Sequence, residues 1–566
     1  MFPTTAKEVA ALGWDSIDVI LFSGDAFVDH PSFGTAVIAR VLESHGYKVA
    51  VVPQPNWRDD LRDFRKLGKP NLFFGVSAGA MDSMVNHYTA AKRLRSDDAY
   101  TPEGRAGYRP DYAVTVYTRI LKELYPEVPV IIGGIEASLR RFTHYDYWQD
   151  ALKPSVLVDS KADYLIWGMG ERPIAAIAQA IGRKAPEEEI RRIPQLGYLS
   201  KEIPDEDKIL LHPFEECRKS KVKFAENFNI IEREANRMHS QILVEKCGEM
   251  YVCINPPYPP ATEAEMDAIY ALPFTKLPHP RYKGKRIPAY DMIKFSITTH
   301  RGCFGGCNFC TIAAHQGKFI QSRSIKSIAS EAEKLSLLPD FKGNISDLGA
   351  PTANMYKMHG HDTALCEKCA RQSCLFPRPC KNLNRSHEQL LELYSAVSKV
   401  EGIRHSYIGS GIRYDLFLDE SGYVDNSSEK YLEEVVINHT SGRMKVAPEH
   451  TRDNVLALMG KPPFTLFVVL REKFDKICRK HNLRYQLVPY FISGHPGCRM
   501  EDMVALSKNK NLDGLYMEQV QDFTPTPMTV SSVMFYTGMD PKNLKPVFVE
   551  RDIEKKKRQK SFFFNK

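Results

Sequence analysis

Cys303, Cys307 and Cys310 stand in THRGCFGGCNFC with C-x3-C-x2-C spacing, a set suited to iron–sulfur chemistry. A cubane has four irons, and full thiolate ligation takes four cysteines. Three thiolates turned inward on a short loop leave one iron without a protein ligand. Gly302, Gly305 and Gly306 permit the tight backbone such a loop needs. Zinc is the competing chemistry. It takes four ligands, and His300 or His315 would have to supply the fourth. Three unrelated buried thiols are the bland alternative. The cluster is favoured because Phe309 precedes the last cysteine and the loop sits between a strand pattern and a helix pattern.

A second set, Cys366, Cys369, Cys374 and Cys380, lies in CEKCARQSCLFPRPC, separated by two, four and five residues. Four thiolates this close are enough for a tetrahedral zinc or a fully ligated iron–sulfur cluster, and the spacing does not choose between them. A metal here would order a loop with little apolar content. Cys217, Cys247, Cys253, Cys478 and Cys498 are scattered and read as buried small hydrophobes.

The elements that position these loops form two βα series. Residues 1–200 contain the apolar runs IDVILFSG (17–24), YKVAVV (47–52), NLFFGVS (71–77), VPVIIGG (128–134) and ADYLIWG (162–168), with helical patterns near 33–45, 111–124 and 171–181. This alternation predicts a parallel, doubly wound, Rossmann-like sheet. Ligands of such sheets lie beyond the C-terminal strand ends, where SGDAFVDHPSFG and GGIEASLRR fall. Residues 201–285 lose the rhythm. They hold a polar helical stretch, a hairpin-like ILVEKCGEMYVCINPP and the Pro-rich PPYPP and LPHP, and read as a bridging segment.

The second series spans 286–530. Its strand patterns are MIKFSIT (292–298), NISDLG (344–349), IRHSYIGSG (403–411), GRMKVAP (442–448), RYQLVPYFI (484–492) and DGLYMEQV (513–520). SIKSIASEAEKLSLL (324–338) is a helix with Ile325, Ile328, Ala332, Leu335 and Leu338 on one face and Ser324 as N-cap. Six strands predict a partial or full parallel βα barrel, whose site lies at the C-terminal strand ends, with a Cys-rich insertion near 360–385. Residues 531–566 form a C-terminal extension whose basic end reads as a solvated or disordered tail.

THRGCFGGCNFC resembles the radical S-adenosylmethionine (SAM) superfamily signature, C-x3-C-x-aromatic-C. Across nearly the whole chain, SAGAMDSMVNHYT, GGIEASLRR, FSITTHRGCFGGCNFC, DLGAPTANMY, GSGIRYDL, KVAPEH, YFISGHPG and QDFTPTPMT resemble the recurrent blocks of the YgiQ-type radical SAM family. The resemblance implies a [4Fe–4S] cluster on Cys303, Cys307 and Cys310 with SAM on its open iron. It further implies reductive cleavage of SAM that starts radical chemistry on an unidentified substrate, and a reductant such as flavodoxin or ferredoxin.

It also places SAM-holding residues at the strand ends. Arg323 in GKFIQSRS would anchor a carboxylate. Gly349 lies where the superfamily has Gly-Gly-Glu. The Glu is missing here, which leaves Asn354 or backbone carbonyls to substitute. Ser410 and Arg413 in GSGIRYD would meet ribose or carboxylate, and Glu449 and His450 stand at another strand end. Each has an ordinary alternative as a rim ion pair. Many radical SAM enzymes carry an upstream cobalamin domain of similar layout. In DHPSFG, Asp29 and His30 are adjacent and Gly34 is four residues past the histidine, which fails the Asp-x-His-x-x-Gly motif. Cobalamin is therefore not expected, and His30 reads as a surface loop histidine.

Hydrophobic residues make up 43% and charged residues 26% of the 566, ordinary for a globular chain. MFPTTAKEVAALGWDSIDVILF lacks signal-peptide organisation and no run is long enough to span a bilayer. The expectation is a cytoplasmic protein away from membranes, where 12 cysteines serve as ligands or thiols rather than disulfides. The net charge of +8 permits nucleic-acid contact without requiring it. The alternative function is a non-catalytic zinc- or nucleic-acid-binding protein that uses both cysteine groups as structural zinc sites.

Overall fold

Strands and helices of the first half fall where the apolar pattern places them. The computed structural model describes residues 1–564. One unit holds Met1–Pro259, Ala268–Lys294 and Thr526–Met528. The other holds Pro260–Asp267, Phe295–Pro525 and the chain from Thr529 onward.

In the first unit, β1 (Val19–Ser23), β2 (Val49–Pro53), β3 (Phe73–Ser77), β4 (Val130–Ile132) and β5 (Tyr164–Ile166) pair in parallel in the order β2-β1-β3-β4-β5. The runs are continuously apolar because both faces are covered. Val19 and Leu21 pack in one core with Ala36, Val37, Val41 and Leu42 of helix Gly34–Ser44. Ile20 and Phe22 pack on the other side with Ala113, Val114, Tyr117 and Leu121 of helix Ala113–Leu124.

The sheet does not stop at residue 200. β6 (Leu196–Ser200), β7 (Lys208–Leu211), β8 (Ile242–Cys247) and β9 (Met250–Ile254) extend it as β6-β9-β8-β7. β5–β6, β6–β9 and β9–β8 are antiparallel, and β8–β7 is parallel. Leu211, Leu243, Val252 and Ile254 join the same core as Ile20 and Phe22. The segment expected to bridge therefore supplies three strands to this sheet, and the hairpin expected in it is β8–β9. Its rhythm is invisible to a βα reading because hairpin-joined strands need no crossover helix.

The second unit runs through β10 (Ser296–Thr298), β11 (Asp347–Gly349), β12 (His405–Ser406), β13 (Arg443–Glu449), β14 (Gln486–Ser493) and β15 (Gln519–Asp522). Parallel pairing follows chain order. β10 pairs with β11, and residues 344–345 pair with β12. Ile412 bridges Val446, and β13-β14-β15 form a continuous sheet. This is a partial parallel barrel, and Ile297, Leu348, Val446, Phe491 and Val520 lie in one core. The strand expected over 403–411 shrinks to two residues for a clear reason. The Asp347 carboxylate accepts the N–H groups of Gly409 (2.8 Å) and Ser410 (3.1 Å), diverting them from a ladder. Helix Ile325–Ser336 forms as predicted, with the Ser324 side chain accepting from Ser327 N. Among the described residues no single helix is long and apolar enough to cross a membrane.

The basic end is not a free tail. Ile553–Ser561 is a helix capped by Asp552. Gln559 is fully buried and donates to the Cys498 carbonyl at 3.1 Å. The Lys556 ammonium lies 4.5 Å from the Phe535 ring centroid, and the buried Phe563 packs against Phe491 with centroids 5.2 Å apart. Residues 565–566 lie outside the described residues. Phe563→Ala is expected to destabilise the second unit by about 3 kcal/mol, as for other buried Phe truncations. Lys557→Ala, at an exposed position, should change it by less than about 0.5 kcal/mol. Urea unfolding of the two variants checks this, and equal midpoints would show that the helix is not docked.

Candidate functional site

The cysteine loop leaves the barrel at the C-terminal end of β10. A two-residue antiparallel ribbon, His300–Arg301 with Gln321–Ser322, closes its base, and Cys303 N donates to Gly317 O at 3.1 Å. Gly302 has φ +90°, and a Cβ there would sit 2.3 Å from the Phe319 carbonyl oxygen, so only glycine fits. Asn308 pins the far side of the loop. Its N–H donates to Met459 O at 2.9 Å and its side-chain amide to Leu458 O at 2.8 Å.

All three thiols are half-buried. Cys303 Sγ lies 3.4 Å from Thr352 Oγ1 and accepts from Gly305 N at 3.4 Å. The Arg413 guanidinium donates to Cys307 Sγ at 3.1 Å. Burial raises the Cys303 thiol, with Arg413 opposing, and pushes Cys310 up to about 12. Removal of these protons needs positive charge close by, which bound iron supplies. His300 is not available as a fourth ligand: Nε2 faces Thr352 O at 3.1 Å and Nδ1 faces Thr299 Oγ1 at 2.8 Å. Among the described residues no three His, Cys, Asp or Glu side chains are arranged to hold a single metal ion.

The predicted SAM-holding residues divide sharply. Arg323 is turned inward, paired with Glu331 at 2.5 Å and bonded to Ser327 Oγ at 2.9 Å and Thr298 O at 2.9 Å. This is a helix-start ion pair. Asn354 is fully buried and clamps Arg413, accepting its N–H and donating to its carbonyl, both at 2.9 Å. Ser410 donates to Asp347. Gly349 leaves room for them, since a Cβ there would lie 2.6 Å from Ser410 Oγ. These four shape the rim, and the bonds they make are within the protein.

Arg413 and Glu449 do reach the cysteine loop. Arg413 is bound by Asp415, with Nε to Oδ1 at 3.0 Å. Glu449 is buried 3.5 Å from Lys461 Nζ, and burial raises its carboxyl. It ends β13 with φ +65°, just past a register shift from Val446, a strained conformation of the kind found at functional sites. His450 is buried, its Nδ1 accepting from Arg452 N at 3.0 Å. Sequence reading missed Asp347, Asp415 and Lys461. Asp415 lies two residues from Arg413, so its charge was the available signal.

At the C-terminal ends of β1 and β3, Arg109 is fully buried. It pairs with Asp25 and Asp98, each at 2.9 Å, and donates to Ala78 O at 2.8 Å. Burial raises Asp25 to about 6. Gly24 is confined there, because a Cβ would lie 2.3 Å from Ala78 O. Asp29 is paired with the buried Arg40. His30 is buried rather than at the surface, with Nδ1 accepting from Ser32 N at 3.1 Å.

A family model described as Radical SAM N-terminal matches residues 1–296, and one for a domain of unknown function, DUF3362, matches 518–565. A UPF0313 protein of Bacteroides thetaiotaomicron is 57% identical over 579 residues, covering 99% of this chain and 93% of that one. The chain belongs to the UPF0313 family. The UPF0313 protein YgiQ of Escherichia coli K12 is 42% identical over 596 residues, covering 95% and 79% of the two chains. The fold of this UPF0313 chain resembles OxsB, a cobalamin-dependent S-adenosylmethionine radical enzyme solved with aqua-cobalamin bound. The TM-score is 0.50 at 10% identity, covering 89% of this chain and 53% of that one.

Radical SAM superfamily membership and the Rossmann-like-plus-barrel fold are thus as the sequence implied. The expectation against cobalamin is corrected. A UPF0313 chain shares its fold with an enzyme that binds cobalamin, so a failed Asp-x-His-x-x-Gly spacing does not set that cofactor aside.

Four histidines of the second unit are held neutral. Burial pushes His300, His387 and His495 down to about 3 and His450 to about 4. Each folded pKa lies below the unfolded 6.5, so the stability they contribute is complete above pH 6.5. It is lost as pH falls toward 4, at up to roughly 1.4 kcal/mol per pH unit per histidine. The raised carboxyls of Asp347 and Glu449 act in the opposite sense, so the test is a difference. His300→Gln should flatten the decline in urea midpoint between pH 7 and 5 relative to wild type. Parallel declines would refute the assignment.

Proposed function

We propose that this protein is a SAM-cleaving enzyme that holds a [4Fe–4S] cluster on Cys303, Cys307 and Cys310. The observation that carries this reading is the gathering of three thiols at the C-terminal end of β10. The Arg413 guanidinium lies on one of them, and His300 is bonded elsewhere. A cluster held there would supply the one electron that reductive cleavage of the SAM sulfonium needs.

The chain's own groups bind and orient. Arg413 donates to Cys307 Sγ and lays its positive charge against that sulfur. Glu449 and Lys461 offer opposite charges beside Cys310, whose thiol feels the Glu449 carboxylate. They are the pair placed to receive the amino and carboxylate groups of the methionine moiety. Thr352, against Cys303 Sγ, fixes that thiol's rotamer. A small one-electron carrier, a flavodoxin or ferredoxin, is the matching reductant.

Under anaerobic conditions with dithionite, Cys307→Ala should form no 5′-deoxyadenosine from SAM while keeping the wild-type circular dichroism spectrum. Glu449→Gln should keep its iron and weaken SAM binding by about tenfold, the value of one charge-assisted hydrogen bond. Wild-type cleavage by Cys307→Ala would end this reading. Unchanged SAM affinity in Glu449→Gln would end only the placement of the methionine moiety.

A further inference from the structure

The four cysteines between 366 and 380 take no part in the chemistry above, yet they are built onto the first loop. Cys374 N donates to Phe304 O at 3.0 Å, Ser373 Oγ to Gly305 O at 2.7 Å, and Gln372 Nε2 to Asn308 Oδ1 at 3.0 Å. Gly306, with φ +60°, has room only for hydrogen on that side, because a Cβ would lie 2.7 Å from Ser373 Cβ. Cys303, Cys374 and Cys380 share one small apolar cluster with Phe304, Met355, Met358, Leu375, Leu383 and Leu416.

Within the second group the thiols face one another. Cys374 feels the charges of Cys380, Cys369 and Cys366, and Cys366 those of Cys369 and Cys380. Backbone bonds fold the loop to bring them together: Cys369 N to Cys366 O at 3.1 Å and Cys380 N to Cys374 O at 2.7 Å. Hydrogen-bond donors point at the sulfurs. Arg371 N and Asn382 Nδ2 lie 3.4 Å from Cys369 Sγ and Cys366 Sγ respectively. Lys318, a lysine only 3% exposed, brings its ammonium to 3.9 Å from Cys369 Sγ and acts electrostatically on Cys366 and Cys374 as well. The same ammonium donates to the Arg371 carbonyl at 2.5 Å, so Lys318 is held between that oxygen and the cysteine sulfurs.

Two metals suit four thiolates. A zinc ion with Zn–S bonds of 2.3 Å draws its sulfurs to about 3.8 Å from one another. Cubanes hold their thiolates farther apart. The first group has the same signature: mutual electrostatic contact, N–H donors on sulfur and an adjacent cation. N–H donors on the sulfurs are a feature that tunes iron–sulfur clusters.

We propose that Cys366, Cys369, Cys374 and Cys380 ligate a second iron–sulfur cluster, fully coordinated by protein, beside the SAM-cleaving site. It is independent of what happens at the open iron, so its failure and the failure of the first reading separate cleanly.

The test uses the full chain, prepared and reconstituted anaerobically with iron and sulfide. A Cys303→Ala/Cys307→Ala/Cys310→Ala variant should retain about four irons and four sulfides per chain. On dithionite reduction it should show its own paramagnetic signal. A Cys366→Ala/Cys369→Ala variant should fall to about four irons and lose that signal. Wild type should hold about eight. Lys318→Met, added to the triple variant, leaves the four cysteines of the second group in place and should lower the midpoint potential of that signal, because a nearby positive charge is gone. A colourless triple variant, or one carrying a single zinc per chain, would overturn the proposal, even where the Cys366 variant fails to fold. So would a Lys318→Met midpoint equal to that of the triple variant alone.

Discussion

The guanidinium of Arg413 joins three parts of the barrel that the chain supplies from far apart. Its Nε and Nη2 grip Asp415, and its Nη1 lies on Cys307 Sγ. Its backbone N–H and carbonyl are both taken by Asn354. A Cβ on Gly305 would come within 2.4 Å of Nη1, so the cysteine loop passes directly over the cation. A buried cation with one carboxylate partner is incompletely compensated on its other side, and that side faces sulfur. The same charge that holds the loop down therefore lies on one of its sulfurs.

Around this contact the rim residues are spent on each other. Asp347 collects two backbone N–H groups and the Ser410 hydroxyl, and it cuts β12 short. Arg323 is consumed by Ser327 and Glu331. The stretch from 349 to 354 is tied to 299, 300, 411 and 413. These bonds give the strand ends a fixed shape. Glu449 and Lys461, joined at 3.5 Å, are a looser pair than Arg323–Glu331 or Arg413–Asp415.

Much of this was legible, and the gaps have physical reasons. Strands buried on both faces announce themselves as continuous apolar runs, so β1 to β5 fell where expected. Of the extension from β6 to β9 only the β8–β9 hairpin was legible, because β6 and β7 pair with β9 and β8, which lie well along the chain. Arg323 looked like a ligand anchor, but Ser327 and Glu331 follow it at four and eight residues. On a helix that puts them on the same face, so its ion pair was readable. The Asp347–Ser410 contact was not readable, since its partners lie on strands whose adjacency only folding reveals. In the basic tail the charge count hid the pattern. Lys556, Gln559 and Phe563 are spaced by three and four, the period of a docked helix face.

Ligand number sets what each cysteine group requires of its surroundings. A three-thiolate cluster keeps one iron open, and an open iron must be shielded from every donor except the intended one. The first loop meets that demand by depth. Its thiols are walled by Thr352, Arg413 and the end of helix Asp453–Met459, and Cys310 is pushed up to about 12. Four thiolates close every coordination position, so the second group needs no such enclosure and can lie on a loop of little apolar content. That loop is nonetheless one wall of the first site, through Ser373, Cys374 and Gln372. That wall is held by the Ser373 and Gln372 bonds to the first loop and by the apolar packing of Leu375 and Leu383, and metal at the outer group would add a further brace to it.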